Sequence, residues 1–373
     1  MTTILVIGSE DLSDHLASYP FFFQLKKANP KARVIVACEA RLRAAQYSSL
    51  VDEVITLPAL QQAGVLSTLR QLESWVHRLR DAHRAGILDE AITLRDDFSS
   101  AWVLSRLGYR TRIGVFTEWR SWLLTGGVLR DDAHPRHRMD ELLALVDRNE
   151  SNTSRRFWSE PAEHPLDPPI PGDLDRFDWR SSWKDTVQIR RPHGAYWILA
   201  PGCEDETRQW QAERYLELAR KVRARTGLTG VVVGSPKDAP LAARLCGDSD
   251  AQLVDFVAQG DLAATAELME SAQFAVTGDS PYGFLSALVG KFTQIAWGAR
   301  DPRVHHPQGP SRLQLSFHPV DCWPCNARVC SQVGDRRLRC VRDLSGDAVY
   351  VDLIKGLEKY HPELLVMSSL AGD

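Results

Sequence analysis

Four places in this 373-residue sequence combine residue types whose chemistry and spacing suggest a site. Gly8-Ser-Glu-Asp-Leu-Ser-Asp14 follows the apolar run Ile4–Ile7 and opens a helix. A carboxylate there can take a proton from an attacking hydroxyl, or Asp14 can simply cap the helix and complement its dipole. Thr277-Gly-Asp-Ser-Pro-Tyr-Gly283 also reads as strand, turn and helix start. Its N–H groups make an anion site to which Ser280 adds a hydroxyl, and Pro281 suits the first helical position. The plain alternative is a helix capped by Asp279 or Ser280. In Pro201-Gly-Cys-Glu-Asp-Glu-Thr-Arg208, Gly202 permits close backbone approach and Arg208 can grip a phosphate through two donors, unless the loop is only a solvated charged face. Finally, Cys322, Cys325, Cys330 and Cys340 form C-x2-C-x4-C-x9-C, a set suited to tetrahedral Zn or Fe, or else four metal-free thiols. Four thiolates leave no open position, so a metal here would be structural.

Weaker signals surround these. Arg112, Arg120, Arg136 and Arg138 lie close in sequence and suit an anionic acceptor. Asp248-Ser-Asp250 imitates the Asp-x-Asp of metal-dependent sugar transferases but sits in a polar connecting stretch and reads as loop. The first loop lacks Gly-x-Gly-x-x-Gly, and no Gly-x-x-x-x-Gly-Lys-Ser/Thr occurs, which argues against a dinucleotide fingerprint and a P-loop.

The elements that would position these residues alternate. Strands are predicted at Ile4–Gly8, Ala32–Cys38, Val51–Leu57 and Ala91–Leu94, with helices at about His15–Lys27, Leu42–Leu50 and Leu66–Arg84. Five of the 20 prolines fall between Glu160 and Gly172, marking a linker. The alternation then restarts with strands at Tyr196–Ala200, Val231–Gly234, Phe274–Thr277 and Phe292–Trp297, the last closing its sheet. Helices are predicted at about Ala212–Arg225, Leu262–Ser271 and Tyr282–Val289, and one or two helices over Gly346 to about Leu365. The expected architecture is α/β: two Rossmann-like, doubly wound parallel-sheet domains with a cleft between them, ligands lying at strand carboxyl ends. The expected boundaries are 1–160 for the first domain, 161–190 for the linker, 191–350 for the second and 351–373 for a helical tail.

A net charge of −3 from 45 basic and 48 acidic residues argues against a nucleic-acid binder. Seven cysteines, an odd number without a secretion-like start, read as reduced thiols. No apolar run nears the roughly 18–20 residues that span a bilayer. The expectation is a cytoplasmic protein.

In order, these segments resemble the heptosyltransferase family of GT-B glycosyltransferases, glycosyltransferase family 9. The landmarks are Ser13-Asp14 with Pro20; Leu88–Arg95 with Phe98 and Ser99-Ser-Ala101; Arg112-Ile-Gly114; Pro201-Gly202; Arg208-x-Trp210; Glu213-Arg-Tyr215; Gly278-Asp-Ser280; and Gly298-Ala-Arg-Asp-Pro302. The resemblance implies an inverting, metal-independent transferase that uses a nucleotide-activated sugar, typically ADP-heptose, with Asp14 as base. Gly202, Arg208, Asp279, Ser280, Tyr282 and Gly283 would serve the donor, with Arg208 and the 277–283 turn stabilising the diphosphate leaving group. Arg112, Arg120, Arg136 and Arg138 would meet a lipid-linked core, glycan or protein acceptor, with peripheral contact at the inner membrane. The four cysteines resemble iron-binding clusters of transferases that add heptose to autotransporter proteins. Departures from the family pattern are Ser13 for Gly, Arg208 for Lys, Gln211 for Pro, Pro281 for Gly and Phe284 for His. They leave open another nucleotide sugar, a protein acceptor, or an inactive sugar-nucleotide-binding module.

Overall fold

The computed structural model describes residues 2–9, 11–39, 48–60, 65–82, 89–117, 119–130, 137–146 and 192–366. They fall into two compact units, residues 2–146 and residues 192–366. The proline-rich 161–190 stretch and Arg136 lie outside the described residues, as does most of the helix predicted at Leu42–Leu50.

The first unit is built on β1 (Thr3–Ile7), β2 (Arg33–Glu39), β3 (Glu53–Leu57), β4 (Glu90–Thr93), β5 (Thr111–Phe116) and β6 (Gly126–Leu129). All pairings are parallel, in the order β3-β2-β1-β4-β5-β6. The central strands are apolar at nearly every position because both faces are covered. Their period of two divides them: Ile4, Val6, Val34, Val36 and Ile92 share one core with Phe21, Phe22 and Leu142. Leu5, Ile7, Ile35 and Ala91 share the other with Leu72, Trp75, Val76 and Leu104. The helices are α1 (Leu12–Ala17), α2 (Tyr19–Ala28), α3 (Val65–Ala82), α4 (Phe98–Leu107) and α5 (Arg138–Ala144). The single helix predicted over 15–27 is therefore two. Pro20 has no N–H to continue the ladder, and at the break the Ser18 hydroxyl donates to the His15 carbonyl at 2.6 Å.

The second unit repeats this plan with β7 (Tyr196–Ala200), β8 (Thr229–Val232), β9 (Leu253–Asp255), β10 (Ala275–Gly278), β11 (Thr293–Ala296) and β12 (Leu313–Ser316). Their order is β12-β11-β10-β7-β8-β9, again parallel. The 292–297 strand thus does not close the sheet; the short, half-polar Leu-Gln-Leu-Ser of β12 does. The helices are α6 (Ala212–Thr226), α7 (Ala239–Cys246), α8 (Leu262–Ser271), α9 (Pro281–Leu288), α10 (Pro302–His305), α11 (Arg339–Arg342), α12 (Gly346–Tyr360) and α13 (Glu363–Val366). Val349, Leu353 and Leu357 of α12 join Trp197, Tyr215 and Phe274 in one core, so the fold runs unbroken through position 350.

In each sheet the order reverses beside the first strand, between β1 and β4 and between β7 and β10. Loops splay apart at such switch points, which is where ligands bind in this architecture. Among the described residues no helix is long and apolar enough to cross a membrane.

The join between β5 and β6 rests on Gly127, whose φ is 150° and whose added Cβ would stand 1.7 Å from the Gly114 carbonyl oxygen. Gly127→Ala is expected to destabilise the protein by about 2 kcal/mol or more, read as a lower denaturant midpoint.

Candidate functional site

At the switch point of the second sheet, β10 ends in Gly278 and the chain turns through Asp279 and Ser280 into α9. Pro281 occupies the opening of that helix, as its sequence predicts, but Ser280 makes no side-chain cap bond. Its hydroxyl is buried and has no hydrogen-bond partner among the described residues, as is true of the Thr277 hydroxyl below it. The first turn of α9 therefore keeps its positive end. The Asp279 side chain is 0% exposed, and its Oδ1 lies 3.7 Å from a guanidinium nitrogen of Arg208 and 3.7 Å from one of Arg300. Two cations thus flank one buried carboxylate.

Arg208 arrives from the loop after β7. It also donates through Nε to Asp205 at 2.9 Å, with Nη2 bonded to the same carboxylate. Burial works against its charge, but Asp279 and Asp205 outweigh that and raise its pKa. The grip expected for a phosphate is, in this state, applied to a carboxylate. Arg300, from the loop after β11, approaches His305 Nδ1 at 3.1 Å; no sequence signal beyond the Gly298–Pro302 landmark marked it as a partner of Asp279. Cys203 stands on the same ground, its thiol donating to the Asp279 carbonyl at 3.2 Å. Burial pushes that thiol up to about 11, which keeps it protonated and unsuited to nucleophilic work.

Gly202 answers to packing. A Cβ there would stand 2.1 Å from Asp238 Oδ1, and Asp238 accepts from the Ser235 amide at 2.7 Å and from its hydroxyl. Burial and the field of Asp238 push the Tyr282 phenol upward, so Tyr282 stays neutral. Gly283 is buried, and a Cβ on it would lie 3.0 Å from Thr277 Oγ1. All six residues expected to serve the donor are therefore gathered where β7, β8 and β10 end.

The four cysteines lie on the segment after β12. Cys322 and Cys325 are exposed, Cys330 is half-buried and Cys340 is buried. Burial, then the fields of Cys325, Cys322 and Cys330, push the Cys340 thiol up to about 11. Leu338 N–H donates to Cys330 Sγ at 3.4 Å. The donor set has the right chemistry for Zn or Fe, yet among the described residues no three His, Cys, Asp or Glu side chains stand close enough to share an ion.

In the first unit, Asp11 and not Asp14 caps α1, accepting the Asp14 amide at 2.8 Å. Asp14 stands in the first turn, and its field helps hold Arg138 charged against the burial of that guanidinium. Arg138 donates to Glu141 at 2.8 Å and to the Leu94 carbonyl, and lies 3.2 Å from Asp96. Arg130, which sequence reasoning passed over, links Asp96 at 2.8 Å and Glu141 at 2.7 Å. Burial opposes the charge on Asp96, but Arg138 and Arg130 keep its pKa below the carboxylate range. Arg120 is 1% exposed and donates to the carbonyls of Arg95 and Asp97. Arg112 does not join this group. It sits at the amino end of β5, donating to Leu123 and Tyr109 carbonyls at 2.7 and 2.6 Å.

The chain matches the family model described as glycosyltransferase family 9 (heptosyltransferase) over residues 76–334. Among solved structures it is similar to ADP-heptose lps heptosyltransferase II of E. coli, with 21% identity and a TM-score of 0.67 over 96% of this chain and 99% of that one. It is also similar to a glycosyl transferase family 9 protein of Veillonella parvula, with 16% identity and a TM-score of 0.70 over 96% and 98%. The iron-containing dodecameric glycosyltransferase TibC of enterotoxigenic E. coli aligns with 12% identity and a TM-score of 0.54 over 96% and 78%. These likenesses show a GT-B-like fold. No curated protein matches the sequence.

One consequence of the α1 environment is measurable. His15 is fully buried against Tyr19 and Phe22, and neither ring nitrogen has a hydrogen-bond partner among the described residues. Burial lowers its pKa from 6.5 to about 4, against the pull of Asp11. Between those values the unfolded chain binds a proton that the folded chain refuses, so stability falls as pH drops from 6.5 toward 4. His15→Phe is expected to remove up to about 3 kcal/mol of that acid decline, measured as unfolding free energy against pH.

Proposed function

Because the chain belongs to glycosyltransferase family 9 (heptosyltransferase), we propose that it is an inverting transferase acting on a hydroxyl of a glycan or lipopolysaccharide-core acceptor. The sugar it moves is heptose-like, carried on a nucleotide, with ADP-heptose as donor. The observation that carries this reading is the second switch point, where two arginines surround Asp279 at the uncapped start of α9. The E. coli relative, described as an ADP-heptose enzyme, supports the choice of donor.

In this reading the diphosphate takes over guanidinium donors that Arg208 now gives to Asp205, with Arg300 as second cation. The Tyr282 amide of α9 adds to them; the Gly283 amide does not, since it donates to the Ser280 carbonyl at 3.0 Å. These groups stabilise the charge that grows on the leaving group as the glycosidic bond breaks, a role that needs no metal. Asp279, sealed from solvent between Arg208 and Arg300, serves the donor by holding those two cations rather than by touching the sugar. Asp14 takes the proton from the acceptor hydroxyl as that oxygen attacks the anomeric carbon from the opposite side, which inverts its configuration. Arg138 and Arg130 hold the surrounding carboxylates in place. The enzyme works in the cytoplasm, peripheral to the inner membrane where a lipid-linked acceptor would lie.

A second reading, an inactive nucleotide-sugar-binding module, is favoured by Arg208 being tied to Asp205 and by Pro281, which deletes one amide from the helix start. Purified protein with a panel of nucleotide sugars separates the two. We expect release of ADP from ADP-heptose in the presence of acceptor, and Asp14→Asn to slow it roughly 100-fold or more while ADP binding persists. Transfer by Asp14→Asn at the wild-type rate would remove Asp14 as base, and binding without turnover would establish the module.

The cysteines carry a proposal of their own, a structural Fe or Zn site closed by the ion, which the likeness to the iron-containing TibC supports. Elemental analysis of freshly purified protein should find one Fe or Zn per chain, reduced by Cys325→Ser. A substoichiometric trace overturns it.

A further inference from the structure

The two arginines beside Asp279 come from different loops, and both loops are bonded to one further segment, residues 323–330. On the Arg300 side, the Ala299 carbonyl accepts the amides of Cys325 and Asn326, each at 3.1 Å. The Asn326 side-chain oxygen accepts the Asp301 amide at 2.9 Å. Trp323 Nε1 donates to the Gly298 carbonyl at 2.9 Å, its ring stacked on Phe317 with centroids 5.0 Å apart. Both peptide neighbours of Arg300 are thus held from outside. On the Arg208 side, the Thr207 hydroxyl donates to the Ala327 carbonyl, and Glu206 accepts the Cys330 amide at 2.8 Å. The loops also touch directly: Ala299 N–H donates to the Thr207 carbonyl at 3.1 Å. At Gly298 an added Cβ would lie 2.5 Å from that same oxygen.

Asn326 meets two demands at once. Its φ of 54° lies in the left-handed region, which Asn tolerates better than most residues. Its amide oxygen is also the acceptor for Asp301. Gly would meet the first demand and not the second.

We infer that Asn326 and Trp323 are positioning residues for Arg300, and that the cysteine-bearing segment sets the spacing of the two donor-facing guanidinium groups. This rests on the donor reading of the Asp279 site. The segment touches no donor itself; it acts by fixing the backbone on each side of Arg300 and beside Arg208.

The test measures ADP affinity by calorimetry for the full-length wild type and for Asn326→Gly, Trp323→Phe, Arg300→Ala and the double variant Asn326→Gly/Arg300→Ala. Asn326→Gly keeps the backbone conformation open, and Trp323→Phe keeps the stack on Phe317 while deleting the bond to Gly298. Each is expected to weaken ADP binding roughly three- to tenfold. In the Arg300→Ala background the Asn326→Gly effect is expected to vanish, because the residue it positions is gone. A general loosening of the fold would lower affinity by the same factor in both backgrounds and would overturn the proposal. So would unchanged affinity in both Asn326→Gly and Trp323→Phe while Arg300→Ala loses binding. If the wild type binds no ADP, or Arg300→Ala binds as well as wild type, the donor reading itself falls and takes this proposal with it.

Discussion

A carboxylate sealed from solvent has to be compensated where it stands, since an isolated buried charge is far costlier than a paired one. Asp279 is such a group, and much of the second unit's carboxyl edge follows from it. The loop after β7 must deliver Arg208, the loop after β11 must deliver Arg300, and α9 must begin just beyond with an open first turn. Gly298 lacks a side chain so that the two arginine loops can lie against each other. Tight packing there keeps both cations in reach without burying an unmatched charge.

The first unit solves a related problem with the signs redistributed. Asp96 and Glu141 are held by Arg130 and Arg138, while Arg120 gives only Nη1 to the carbonyls of Arg95 and Asp97, its Nε and Nη2 having no hydrogen-bond partner among the described residues. The result is a charge-balanced network around the carboxyl ends of β1 and β4, with Asp14 contributing to the field on Arg138. A local balance of this kind is invisible in the overall charge of −3. It also shows why arginines adjacent in sequence need not share a role: Arg112 enters at the other end of its strand and serves backbone carbonyls.

The strands that carry the switch points were the most legible elements. Ile4–Ile7, Tyr196–Ala200 and Phe274–Thr277 are short apolar runs closed by small or polar residues, the pattern of strands buried on both faces. Helices with a clear apolar stripe, such as 212–226 and 262–271, were equally plain. The edge strand Leu313–Ser316 escapes because Leu-Gln-Leu-Ser is too short and too polar to read as a buried strand. The 15–27 region reads as one helix because hydrophobic spacing continues through Ser18, although Pro20 cannot continue the hydrogen-bond ladder. The candidate site residues share a strand-end position: Asp14, Gly202, Arg208 and the 279–283 turn all follow buried strands.

Sequence alone therefore determined the two parallel α/β units and which loops sit at the strand carboxyl ends, because burial periodicity and turn chemistry are local properties of the chain. It did not determine which charges meet. Asp279 with Arg208 and Arg300, Arg130 with Asp96 and Glu141, and Asn326 with Asp301 are pairings between loops that parallel-sheet crossovers bring together. Their energies depend on the desolvation and exact approach created by that packing. That is a property of the tertiary structure, and no spacing in the sequence encodes it.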